Sequence, residues 1–356
     1  MATERRTKIL AIQLLRFLAA GIVAYAHVAF AYAVLLARER GLPFDAPTLA
    51  LSRVALFFLV SGAVMVVASG RLFEAPGSWR TFLARRLNRI LPAYWLMTLV
   101  LAGVALFLGE AVRWDRLALS LVLVPYWSGA WVGHPLPFLW PAWTLFYELL
   151  FYLVFAAALR LPRGRAVLAV SAVLLALVAL GMLAEPHGAA AFIATRPVLL
   201  LFLPGMALGL MLARGVTIAP RWRVLALCVA AGLMVAFPDF ASGRGGAPLG
   251  WWVTLGIGTP ALLVALAVAG GPLALPFEAA VEHLGNLSYG IFLIHVPVAT
   301  FWMWFYPAAV PDPGPWGFLV SCLAVTLVLS HVSYRWFERP VTDWLNARLA
   351  GASAAT

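Results

Sequence analysis

Charge is what this sequence has least of. Only 11% of its 356 residues are Asp, Glu, Lys or Arg, against 64% hydrophobic. A soluble domain carries roughly 25% charged residues, because it must present a wet surface, so a water-exposed globular fold is excluded. Cysteine is almost missing too. Cys228 and Cys322 both lie inside apolar segments, which removes a disulfide framework and a zinc site from consideration, and no metal is expected. Acids number 14 against 25 Lys and Arg, a net charge of +11. That excess is not a nucleic-acid footprint, and no nucleic-acid partner is expected. The arginines cluster next to apolar runs, where positive residues mark cytoplasmic loops. Internal repeats, low-complexity tracts and a separate soluble domain are also absent from the pattern, so residues 1–356 read as one transmembrane domain.

What is present is a series of apolar runs of about 20 residues without period-two alternation. In lipid the backbone satisfies itself only as helix or closed barrel, and runs of this kind specify helix. The fold class is therefore all-α, a polytopic transmembrane bundle of about ten spanning helices. The candidate spans are 12–36, 49–69, 90–109, 141–160, 165–184, 195–213, 222–238, 250–270, 285–306 and 316–337. An eleventh stretch, 117–127, is short and leads into a Pro/Gly/Trp-rich segment. Arg71, Arg80, Arg85, Arg86 and Arg89 put one loop inside, as do Arg160, Arg163 and Arg165, then Arg214, Arg221 and Arg223, and finally Arg335, Arg339 and Arg348. These clusters agree with cytoplasmic termini only if 117–127 is re-entrant or interfacial on the outer side. Loop 271–283 carries Glu278 and Glu282 without Lys or Arg, and acids say little about orientation. The basic start, Met1 to Lys8, suggests a signal peptide. The apolar stretch after it is far longer than a signal core of roughly 7–15 residues, so it reads as a retained first span. Gly205 and Gly209 form a small-xxx-small pair, the mark of a close helix contact. The localisation expected is an integral protein of a bacterial inner membrane.

Ionisable groups at membrane depth are costly and are the default functional candidates. Arg16 and His27 are eleven positions apart, about three turns and roughly 16 Å along one helix face. Arg16 then stands at the cytoplasmic edge, as a snorkelling anchor or an anion ligand. His27 lies near mid-depth, as an interhelical hydrogen-bonding group or a base. In 84–95, Arg86 and Arg89 project from one side of a helix start, where guanidinium forks suit phosphate; from the cluster alone, a positive-inside signal is the better explanation. Glu148 lies about two turns into its span and needs a polar cavity, a cation or a proton. Trp143, Tyr147 and Tyr152 around it fit an aromatic belt. His295 lies at middle depth, with Ser288 and Tyr289 one to two turns below.

Together and in this order, these segments resemble the acyltransferase-3 family of membrane acyltransferases. Arg16 and His27 are similar to its Arg-x10-His signature, and Arg86-Leu87-Asn88-Arg89 to its Arg-x-x-Arg signature, with Ile90-Leu91-Pro92 and Tyr94-Trp95 following. Phe57-Phe58-Leu59-Val60-Ser61-Gly62, Trp143-Thr144-Leu145 with Glu148, Ser288-Tyr289 with His295, and Glu338-Arg339-Pro340 extend the likeness over nearly the whole chain. The resemblance implies ten or so helices and O-acyl transfer, usually of acetyl, from cytoplasmic acyl-CoA to a hydroxyl. The acceptor would be a carbohydrate, a lipid-linked sugar or another envelope or secondary-metabolite molecule. Acyl-CoA is then a donor substrate rather than a permanently bound cofactor, and membrane lipids are the other partner. Arg16, Arg86 and Arg89 would hold the phosphates, with Tyr289 and His295 along the donor path. His27 is the expected base, acting directly or through an acyl-imidazole, and Glu148 would orient it or hold acceptor hydroxyls. A glycan or lipid transporter or flippase is the alternative, resting on helix count and buried charge; a non-catalytic export component is another. Loops 37–48, 110–140 and 239–250 are expected to select the acceptor.

Overall fold

A computed structural model of the chain describes residues 2–39, 54–128, 134–184, 186–236, 250–271, 273, 275, 277–310 and 314–354. Of the loops expected to select the acceptor, residues 40–48, 129–133 and 239–249 lie outside them, as do the first residues of span 49–69 and the last two of span 222–238. Among the described residues the protein is helical, with one isolated β-bridge between Trp127 and Pro135. The helices are α1 (Ala2–Glu39), α2 (Ala55–Ala68), α3 (Ser78–Phe107), α4 (Trp114–Leu121), α5 (Trp143–Ala158) and α6 (Arg163–Leu183). Then follow α7 (Ala189–Ala194), α8 (Phe202–Ala213), α9 (Pro220–Ala236), α10 (Trp251–Ala269), α11 (Glu278–Ala309), α12 (Pro315–Ser333) and α13 (Arg339–Ala354). Short 3₁₀ turns lead into α5 and α8, and a π-turn, Tyr334–Glu338, joins α12 to α13.

Each of the ten apolar runs holds a helix. Seven segments are long and apolar enough to cross a membrane: Leu10–Ala37, Ser78–Phe107, Trp140–Ala158, Arg163–Leu183, Ala189–Ala213, Glu278–Ala309 and Pro315–Ala350. Ala55–Ala68 and Thr254–Ala269 are shorter apolar helices. Left-handed glycines close two of the helices, Gly109 (φ 75°) after α3 and Gly215 (φ 72°) after α8. The eight residues of α4 rise only about 12 Å, far short of a hydrocarbon core of about 30 Å. At its start, the N-cap residue Arg113 pairs with Asp115 of the first turn at 3.0 Å, both exposed. The hydrogen bonds from Arg113 hold the Asp115 carboxyl below its ordinary range.

Two compact units are present. One comprises the described residues of 1–19, 47–83 and 144–286, the other those of 20–46, 84–143 and 287–356. In the first, α2 lies along α8 at backbone contact. A Cβ on Gly205 would fall 2.2 Å from the Leu59 carbonyl oxygen, one on Gly209 2.8 Å from that of Ala63, and one on Gly62 2.5 Å from that of Phe202. The small-xxx-small pair is thus a close contact, as expected, and Gly62 completes it from the other side. Since 59 meets 205 and 63 meets 209, the two helices are parallel. Arg223 donates from Nε to the Ala267 carbonyl at 2.6 Å, tying the start of α9 to the end of α10, so that pair is antiparallel. Ala11, Leu15 and Ala19 of α1 join Leu56, Val60, Leu208, Leu212, Ala265 and Ala269 in one apolar core.

In the second unit α11 is the axis. It runs antiparallel to α12, with Gly290 against Ser330 and Trp302 Nε1 donating to Ser321 Oγ at 3.0 Å. It runs parallel to α3: Tyr289 donates from its hydroxyl to the Ile90 carbonyl at 2.9 Å, and Phe107 packs on Phe301 and Trp304. The segment around α4 is pinned through buried Ser120. The Tyr94 hydroxyl donates to the Ser120 carbonyl at 2.8 Å, and the Phe138 N–H donates to Ser120 Oγ at 2.7 Å.

Candidate active site

His27 and His295 meet. They stand on α1 and α11, 268 residues apart in sequence, with Nδ1 of His27 2.7 Å from Nε2 of His295. Both are buried, at 3% and 0% exposure. α1 and α11 run in the same direction past the pair. The indole of Trp140, in the 3₁₀ turn before α5, lies 4.4 Å from the His27 ring centroid. The three rings bound one cavity.

The hydrogen bonds fix the tautomers. Nδ1 of His295 lies 2.9 Å from the Ile291 carbonyl oxygen. A carbonyl only accepts, so that nitrogen carries the proton, and in a neutral ring Nε2 is then an acceptor. Nδ1 of His27 must therefore donate to it. The consequence is that the lone pair of His27 sits on Nε2. A proton taken up there leaves an imidazolium whose Nδ1–H still points at a neutral acceptor. This is the arrangement of a general base oriented by a second group.

The other expected site residues fall into two sets. In the same unit as the histidines, Arg86 is half-buried and Arg89 exposed at the start of that unit's α3 segment. The backbone there is held on two sides. Tyr289 binds the Ile90 carbonyl; Asn346 of α13 accepts from Asn88 at 3.2 Å, and Thr342 donates weakly to the Asn88 carbonyl at 3.5 Å. That carbonyl would ordinarily receive the N–H of residue 92, which is proline. Tyr289, expected along the donor path, thus serves as a clamp on the Arg-x-x-Arg turn.

Arg16 and Glu148 belong to the other unit. Arg16 donates to Gln13 Oε1 at 2.7 Å, and Gln13 donates to Asn286 Oδ1 at 2.7 Å, so Arg16 is part of a polar chain between α1 and α11. Gly285 permits it, since a Cβ there would lie 2.5 Å from that of Gln13. Glu148 accepts at Oε1 from Ser61 at 3.0 Å and from the Tyr152 hydroxyl at 2.5 Å. Tyr152, which reads as aromatic belt, is thus a carboxylate ligand. Trp140, Gln13 and Asn286 are not singled out by the sequence pattern. Gln13 and Asn286 carry one usable signal: each is a polar side chain close in sequence to a motif residue, Arg16 or Ser288.

Comparison with known proteins follows the geometry. The profile of the family described as "Acyltransferase domain" matches residues 9–335. The chain belongs to the acyltransferase-3 family. One relative is the "Exopolysaccharide production protein ExoZ" of Rhizobium meliloti (strain 1021), 38% identical over 165 residues. That stretch is 46% of this chain and 51% of the relative, so the match spans about half the length of each. No solved structure matches the chain significantly. The histidines and arginines singled out in the sequence, Arg16, His27, Arg86, Arg89 and His295, all lie within the matched span. Of these, the histidine pair is the feature on which acyl-transfer chemistry can be built.

Proposed function

We propose that the protein is an O-acyltransferase of the bacterial inner membrane, moving a short acyl group from cytoplasmic acyl-CoA to a hydroxyl of a carbohydrate acceptor. The carrying observation is the buried His27–His295 pair, hydrogen-bonded ring to ring, with both rings lining one cavity. His27 Nε2 takes the proton of the acceptor hydroxyl as its oxygen attacks the thioester carbonyl. The new C–O bond forms, the C–S bond breaks, and the departing thiolate takes the proton back from the imidazolium. The products are an ester and free coenzyme A, so atoms and electrons balance without a redox partner. His295 holds the ring and its tautomer. Arg86 and Arg89 supply cationic forks for the donor's phosphates at the cytoplasmic rim. A carbohydrate acceptor is favoured by the name of the relative, an exopolysaccharide production protein.

Ten crossings fit the relative directions of the helices. The α2–α8 pair is parallel, which needs an odd number of crossings between them. The helices α3, α5 and α6 supply three, and α4 would make four. The parallel pairs α1–α11 and α3–α11 support the same count. The reading is tested by mass spectrometry of envelope glycans from cells with and without the protein. Loss of an acyl mass from a hydroxyl is expected on deletion, restored by the parent and not by His27→Ala. Unchanged glycans, in cells where the protein is made, would contradict it.

A further inference from the structure

The cavity beside the histidine pair has a volume of about 70 Å³. An apolar protein cavity of about 150 Å³ holds a benzene ring, so this one has room for a carbonyl and two or three carbons. Its walls come from one face of each of two parallel helices. From His27 the lining continues to Val34, and from His295 through Ala299 to Met303. Those intervals are seven and eight residues, about 10–12 Å along the axes. Ala299 is buried, and Val34 and Met303, both half-buried, are the lining residues farthest along the two helices from the histidines. No charged residue lines the cavity, and Thr300 is its one hydroxyl side chain among the lining residues. A sugar ring would be too large and would leave several hydroxyls without partners. A short acyl chain matches both size and polarity.

We infer that this cavity is the acyl chamber of the transfer reaction, and that Val34 and Met303 set the length of chain it accepts. The inference rests on the reading that His27 is the transfer base, because only then does the acyl carbonyl sit beside that imidazole.

The test is competition between radiolabelled acetyl-CoA and hexanoyl-CoA in membranes, normalised to inserted protein. A hydrophobic pocket discriminates by roughly 10–200-fold per methylene, so the parent should prefer acetyl by at least about 100-fold. Met303→Ala should narrow that ratio by about tenfold or more, and Val34→Ala combined with Met303→Ala further still. Trp304→Ala, one residue away and 53% exposed, should keep the parental ratio. Val34→Ala alone serves where the Met303 variant fails to insert. A parental ratio in the inserted chamber variants would overturn the inference while leaving the transfer reading intact. So would an equal loss with every donor, because a chamber wall acts on chain length. A parent that transfers neither acyl group would defeat the transfer reading first, and the chamber with it.

Discussion

At the scale of the residue, the central feature is a proton inventory. The Ile291 carbonyl fixes one proton on His295, that choice fixes one on His27, and the basic nitrogen follows. Removing His295 should therefore change what His27 does without touching donor contacts. His295→Ala is expected to lower kcat by about 10²-fold, at the lower end of the range for lost general-base function, with KM for the donor nearly unchanged. His295→Gln, whose amide oxygen can still accept from His27 Nδ1, should recover part of the loss. Equal kcat for His295→Ala and the parent would show that the second ring has no hold on the first. The similar depth of these histidines was legible in the sequence, because each is placed by an apolar run of known rise. Their contact was not, since it depends on how two helices 268 residues apart pack. Trp140 was illegible for the same reason: nothing local distinguishes it from its neighbour Trp143, whose ring packs on His134 instead.

Helices carry the next level of constraint. The α2–α8 contact is made of backbone on backbone, and Gly205 is its tightest point. Gly205→Ala places a methyl on the Leu59 carbonyl, an overpacking that costs on the order of 1–3 kcal/mol. Thermal unfolding in detergent should report a lower Tm, whereas Gly232→Ala, with open space around it, should not. A Gly205→Ala protein as stable as the parent would mean that the helices slide apart freely. The Arg-x-x-Arg turn is a second element-scale case. Arg86→Ala and Arg89→Ala should raise the donor KM about tenfold each with insertion intact, and Lys should restore only part, because an ammonium lacks the fork. Normal donor affinity in both Ala variants would reduce the cluster to a topological signal. The sequence gives no warning that Asn88, between the two arginines, is bonded to α13, or that Pro92 frees the carbonyl that Thr342 approaches. Those are consequences of packing rather than of pattern.

For the whole molecule, composition and the arginine clusters lead to the expectation of ten spans with cytoplasmic termini, and the parallel helix pairs are consistent with a count that leaves α4 out. Reporter fusions at Glu110 and Ser128, on either side of α4, should both read outside, and one at Gly164 inside. Opposite sides for the first two would contradict the ten-span arrangement. The division into two units was not visible along the chain. It cuts through α1, α3 and α11, so no break in sequence marks it, and Arg16 and His27 of one motif fall in different units. What joins these scales is the claim that His27 is the base of an acyl transfer fed by acyl-CoA. Its most direct measurement is transfer of a radiolabelled acetyl group from acetyl-CoA in membranes, with donor binding measured in parallel, for the parent and His27→Ala at equal inserted protein. The account predicts transfer by the parent, a loss of roughly 10²–10⁴-fold in His27→Ala, and unchanged donor binding. Near-parental transfer by His27→Ala would contradict it.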